Sequence, residues 1–262
     1  MLKIEPRKNR SNFLEVSAPV IAVILTMIIG GFLFLSMGKN PFEAIKLIFW
    51  DPIMSPTFSE YSRPQLVIKA APLILIALGL SFGFRANIWN IGAEGQYIMG
   101  ALISGSIGLA LYPLDAWFIF PLMILGGIIG GVFWAMIPAI LKIKFNTNEI
   151  LVSLMLVYVA EQILALASVG FLRNPDGLGF PGSRDLSKYP SAANPELIAN
   201  SGIHIGVIFS FTAVILLTYF LIYHRLGFQI KLIGQAPKAA KFSGVNVNYI
   251  VIFCLGLSGG LA

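Results

Sequence analysis

The sequence predicts an all-α fold, a polytopic transmembrane helix bundle, and three observations carry that prediction. Of 262 residues, 57% are hydrophobic and only 11% charged, against about 25% charged in ordinary soluble domains. The apolar residues come in long blocks, about seven of them, most near the length that crosses a bilayer core at 1.5 Å per residue. The blocks lack the apolar/polar alternation of membrane-barrel strands, and helices satisfy every backbone group internally in lipid.

The first span, 18 to 37, follows a basic segment, 1 to 17, that carries Lys3, Arg7, Lys8 and Arg10. Its apolar run is too long for a signal-peptide core and no A-x-A cleavage site follows, so it reads as an uncleaved helix. Further spans are predicted at 65 to 84, 88 to 111, 116 to 141, 150 to 171, 203 to 223 and 249 to the end. The last block stops at Ala262 after about 14 residues, or roughly 21 Å of helix. The expectation is a truncated final helix that continues beyond this sequence, a re-entrant segment being the alternative.

The net charge of +6 would point to nucleic acid in a soluble protein, but here the basic residues sort by side of the membrane. With the N-terminus inside, eleven fall on cytoplasmic segments: Lys3, Arg7, Lys8, Arg10, Arg85, Lys142, Lys144, Arg225, Lys231, Lys238 and Lys241. Six fall outside: Lys39, Lys46, Arg63, Arg173, Arg184 and Lys188. That asymmetry predicts a cytoplasmic N-terminus. Lys69 lies near the outer end of the second span, within snorkelling reach of the interface.

Cys254 is the single cysteine and His204 and His224 the two histidines, so the chain offers neither an internal disulfide nor a Cys/His metal set. Gly38–Lys39 is the one Gly-Lys pair, but Leu33 stands where a phosphate-binding loop needs glycine and Asn40 where it needs Ser or Thr. ATP, if used, is bound by another chain, and no catalytic residue or bound cofactor is expected here.

The polar residues inside the apolar blocks are the site candidates, because unpaired polar groups are costly in hydrocarbon. The stretch "FRANIWNIGAEGQ" holds Asn87, Asn90, Glu94 and Gln96. Gly92 and Gly95 around Glu94 weaken helix propensity, which predicts an irregular segment lining a cavity. Tethering of helices through these side chains carries more weight than direct solute contact. Glu161, beside Gln162, is the most deeply placed acid, with solute-path and bundle-facing readings both open. Gly79/Gly83, Gly126/Gly130, Gly127/Gly131 and Gly256/Gly260 keep the four-residue spacing that lets helix backbones approach.

Residues 173 to 202, rich in Pro, Gly, Asn and Ser, predict a long outer loop, either a docking surface for an external partner or a connector. The inner loop, 224 to 248, is predicted to hold a short helix that starts at Pro237 and ends before Gly244. A basic helix at the lipid surface is its other reading.

"FRANIWNIGAEGQYIMGA" resembles the signature of permease subunits of bacterial ABC importers in the branched-chain amino acid and simple-sugar group. "NPDGLGFPGS" and the basic N-terminus are similar to the larger permease of nucleoside importers. Ala239, Ala240 and Gly244 resemble the coupling loop of such permeases, with Lys238 where the usual motif has glutamate. The resemblance covers roughly residues 60 to 262 and implies a permease domain over 18 to 262. It further implies partner ABC ATPase subunits carrying ATP, a second permease subunit, an external solute-binding lipoprotein and a bacterial inner-membrane location. Pro237, Ala239, Ala240 and Gly244 become ATPase-coupling candidates. The expected solute is a nucleoside first and a simple sugar second. The alternative is a proton-coupled secondary transporter that uses Glu94 and Glu161.

Overall fold

The computed structural model describes residues 12 to 178 and 180 to 262; most of the basic N-terminal segment therefore lies outside the described residues. The elements are α1 (Asn12–Ser36), α2 (Pro41–Ile45), a π-helical turn (Lys46–Trp50), α3 (Asp51–Met54), α4 (Ser59–Arg85), α5 (Ala93–Ala110), α6 (Ile119–Phe145) and α7 (Glu149–Val169). A 3₁₀ turn (Leu186–Lys188), α8 (Gly206–Tyr223), α9 (Arg225–Gln235), α10 (Pro237–Phe242) and α11 (Val247–Leu261) follow. Among the described residues the extended pairing is a single bridge, Glu196 with His204.

Five helices, α1, α4, α6, α7 and α8, are long and apolar enough to span a bilayer. The predicted third span, 88 to 111, is shorter than expected: α5 begins at Ala93, with Glu94 and Gln96 in its first two turns. The seventh block forms α11, 15 residues long. The short pieces α2 and α3 lie in a stretch for which the hydrophobic pattern predicts no span.

The chain divides into two compact units, Met1–Leu66 and Val67–Ala262. In the first, Asn40 caps α2 by accepting from the Phe42 N–H at 3.0 Å, with Pro41 at the first helical position. The Ser62 hydroxyl donates to the Pro52 carbonyl and Arg63 Nε to the Ile53 carbonyl, each at 2.6 Å, fixing α3 against the start of α4.

In the second unit α5 packs on α6 and α7, and α11 packs on α6. Between apolar helices in lipid the gain comes from close packing rather than from leaving water, which favours small residues at crossings. The α6–α11 crossing shows this: a Cβ added to Gly131 would strike the Gly259 carbonyl oxygen, and one added to Gly259 would strike that of Gly131. A larger cluster, with Phe82, Ile230, Ile250, Cys254 and Leu255 fully buried, joins the ends of α4 and α8 to α9, α10 and α11. At the other end, Tyr189 of the long loop is buried and its single O–H is shared between the carbonyls of Leu111 and Leu114. Ser191 Oγ accepts from the Ala116 N–H at 3.1 Å and donates to Asp115. Residues 173 to 202 are thus tied down at their centre, while Leu178 and Phe180 near one end stand exposed.

Candidate functional site

The irregular segment forms because α4 stops sharply. Asn87 takes a left-handed conformation, φ 58°, which asparagine tolerates better than most residues, and the Ile88 N–H turns back to the Gly83 carbonyl at 2.8 Å. The chain then runs without helix to Gly92, whose N–H donates to Asn90 Oδ1 at 3.0 Å in an Asx turn that opens α5. Gly92 is required by close approach: a Cβ there would stand 2.6 Å from the Ser153 carbonyl oxygen.

Asn90 is 2% exposed and fully committed. Its Nδ2 donates to Gln96 Oε1 and to Ser258 Oγ, both at 2.9 Å. Its Oδ1 accepts from Gly92 and from Gln96 Nε2 at 3.2 Å. An asparagine side chain has two donors and two acceptor lone pairs, and all four are used. Beside it the Ile91 N–H donates to Ser153 Oγ at 3.2 Å, and that hydroxyl donates to the Ile150 carbonyl at 3.2 Å. The knot therefore joins the 86–92 segment, α5, α7 and α11. Ser153 and Ser258 were not singled out by sequence reasoning, since isolated serines in apolar helices carry no distinguishing pattern.

The other predicted members stand apart from this knot. Glu94 is exposed in the first turn of α5, where a negative charge suits the helix dipole. Asn87 is exposed and accepts from Trp89 Nε1 at 3.2 Å. Glu161 and Gln162 are exposed on α7 and make no side-chain hydrogen bond among the described residues. Glu161 lies off the face of α7 that packs through Val157 and Ala160. An acid that does pair between helices is Glu149, 2.5 Å from Lys142 Nζ across the α6–α7 turn.

The inner loop folds into α9 and α10. His224 caps α9 by accepting from the Leu226 N–H at 3.2 Å. Pro237 takes the first position of α10, and the chain leaves it through Gly244 at φ 81°. Ala240 is 0% exposed and packs into the cluster that holds Ile230 and Ile250. Ala239, one residue earlier, is exposed with Lys238 and Lys241, and Phe242 is 97% exposed. The helix is thus held by one small side chain and presents a mixed basic and aromatic face, of which the sequence pattern pointed to Ala239 but not to Phe242. Among the described residues no group of three or more His, Cys, Asp or Glu side chains is placed to hold a metal ion.

Residues 62 to 262 match the family described as the branched-chain amino acid transport system permease component. A glucose ABC transporter permease protein of Haloferax volcanii is 29% identical over 271 residues, which takes in 100% of this chain and 69% of the relative. A nucleoside ABC transporter permease protein of Lactococcus lactis is 26% identical, covering 95% of this chain and 68% of its own length. A guanosine ABC transporter permease protein of Bacillus subtilis is also 26% identical, covering 93% and 68%. No solved structure matches. Several apolar helices and this match make the chain a multi-pass membrane protein, and it belongs to the transport-system permease-component family.

Proposed function

We propose that the chain is the permease subunit of an ATP-driven ABC importer that moves a small polar solute into the cell, a nucleoside first and a simple sugar second. Relatives named for guanosine, nucleoside and glucose transport support the solute class. The observation that carries the ATP-driven reading is α10, a short helix held through Ala240 whose Lys238, Ala239 and Phe242 face outward. An exposed phenylalanine flanked by lysines on a membrane protein's loop fits a protein groove, and here the partner is an ABC ATPase subunit that binds the ATP this chain does not. A second permease subunit completes the path, and an external solute-binding lipoprotein delivers to the opposite face. The eleven-to-six distribution of basic residues supports a cytoplasmic N-terminus and a cytoplasmic α10 in a bacterial plasma membrane.

The test is reconstitution of the assembled complex in vesicles with ATP on the α10 side, with uptake of guanosine and of glucose measured separately. Uptake that needs hydrolysable ATP and survives a protonophore supports the reading. Uptake that ignores ATP and collapses with the proton gradient overturns it in favour of secondary transport.

A further inference from the structure

Within the second unit, two helices and the long loop surround a hollow of about 600 Å³. The lining comes from three separate parts of the chain: Ser104 of α5, Phe120 and Met123 of α6, and Asn194, Glu196 and His204 of the loop. The concavity is therefore built by this chain's own walls. That size, with a mainly apolar lining and a few converging polar groups, is the usual make-up of a small-molecule site. The loop wall is held in place nearby, since Tyr189 is tied to the end of α5 and Ser191 to the start of α6.

A small hairpin sets the two titratable groups side by side. The Leu197 N–H donates to the Ile203 carbonyl at 2.7 Å and the Ile205 N–H to the Pro195 carbonyl at 3.1 Å. Glu196 and His204 are thus directly opposed without sharing backbone bonds, the arrangement in which side chains on one face stand closest. Among the described residues no ion pair joins them. Each is turned to a backbone group instead: Glu196 Oε2 accepts from the Asn200 N–H at 3.0 Å and His204 Nδ1 from the Gly206 N–H at 3.2 Å. A ring that accepts at Nδ1 carries its proton on Nε2. The pair therefore keeps one acceptor, Glu196 Oε1, and one donor, His204 Nε2–H, both oriented before any ligand arrives.

We propose that this hollow is an outer docking site for the transported solute and that it reads a pair of neighbouring hydroxyl groups. This inference rests on the transport reading above and names where the solute meets this chain. The carboxylate accepts from one hydroxyl while the imidazole N–H donates to the next. Ser104 and Asn194 add a hydroxyl and an amide that no side-chain bond occupies among the described residues. Phe120 and Met123 supply apolar ground for the face of a ring. The Glu196 charge turns away phosphorylated forms of the same solutes. Among the described residues no third His, Cys, Asp or Glu joins the pair to hold a metal ion, so a neutral, hydroxyl-bearing ring is the ligand that fits.

The experiment uses the assembled transporter with Cys254→Ser, without nucleotide, and with guanosine and glucose as separate probes. Ala193→Cys places a thiol in the lining of the hollow, and Ser183→Cys places one elsewhere in the same loop. A water-soluble thiol reagent is expected to reach both. At least one probe, at twice its dissociation constant, is expected to slow labelling at position 193 about threefold and to leave position 183 unchanged. Protection by guanosine alone assigns the hydroxyl pair to a ribose, and protection by glucose alone to a hexose. Where guanosine protects, 2′,3′-dideoxyguanosine is expected to fail. Glu196→Gln keeps an acceptor for the Asn200 N–H, and His204→Asn keeps one for the Gly206 N–H. Each is expected to raise the half-protecting concentration about tenfold, the loss of one charge-assisted or donor contact. No labelling at 193, protection by neither probe, equal protection by the dideoxy compound, or an unchanged half-protecting concentration in both variants overturns the inference. These readouts need no ATP. A complex protected at 193 that shows no ATP-dependent uptake of the same probe keeps the binding site and counts against the transport reading instead.

Discussion

Asn90 and Ser258 are separated by 168 positions, yet Asn90 Nδ2 donates to Ser258 Oγ at 2.9 Å. The bond closes the 86–92 segment onto α11, and Gln96 and Gly92 occupy what remains of the asparagine's capacity. Removing Asn90 leaves three buried polar groups seeking partners at once. Asn90→Ala is therefore expected to cost about 1–3 kcal/mol, while Ser258→Ala removes one contact and is expected to cost about 1 kcal/mol or less. Thermal unfolding in detergent, read as a double-mutant cycle, checks this. A pair whose effects simply add would show that the bond carries no coupling.

The distribution of these roles was only partly legible in the sequence. Span positions follow from apolar block length, and α10 from Pro237 and Gly244, because those signals are local. Glu94 and Gln96 look equivalent in the chain, but two positions on a helix differ by about 200°, so one is exposed and the other buried. Which of them faces inward depends on Asn90, Ser153 and Ser258 arriving from other elements, and no local pattern announces a long-range hydrogen bond. Glu161 shows the converse. Its depth was readable from block length, while its outward direction depended on which face of α7 packs against α5.

The α6–α11 crossing gives a sharper packing test. Gly131→Ala places a methyl group against the Gly259 carbonyl oxygen, and neither backbone can yield without parting the helices. Gly105→Ala in α5 meets nothing within 4 Å and gains helix propensity by roughly 0.5–1 kcal/mol. The expected result is loss of most folded protein for the first and wild-type or better recovery for the second, by size-exclusion chromatography. Equal recovery of both would show that the crossing is not close in the membrane.

Topology is tested by labelling. With Cys254→Ser, single cysteines from Ser183→Cys in the long loop and Ser243→Cys beside α10 both fall at exposed positions. An impermeant thiol reagent is expected to reach position 183 in intact cells and position 243 only after permeabilisation. The reverse pattern would invert the orientation drawn from the basic residues.

The last prediction separates the two alanines of α10. Ala240 is 0% exposed and Ala239 is exposed, so the same kind of substitution should fail for different reasons. Ala240→Glu forces an unpaired charge into the cluster around Ile230 and Ile250, at a cost large enough to lose folded protein. Ala239→Glu leaves that cluster untouched and is expected to insert and fold normally. In a docked helix, however, it buries a charge against the ATPase without a partner. It should therefore weaken ATPase co-purification at least tenfold and uncouple hydrolysis from uptake. Phe242→Ala removes the one large apolar side chain on the exposed face and is expected to weaken co-purification without affecting recovery of the permease. A helix that merely rests on lipid headgroups would lose membrane contact through Phe242 yet leave ATPase binding intact. Wild-type ATPase recovery and uptake in both Ala239→Glu and Phe242→Ala would therefore end the coupling assignment, whatever Ala240→Glu does to folding.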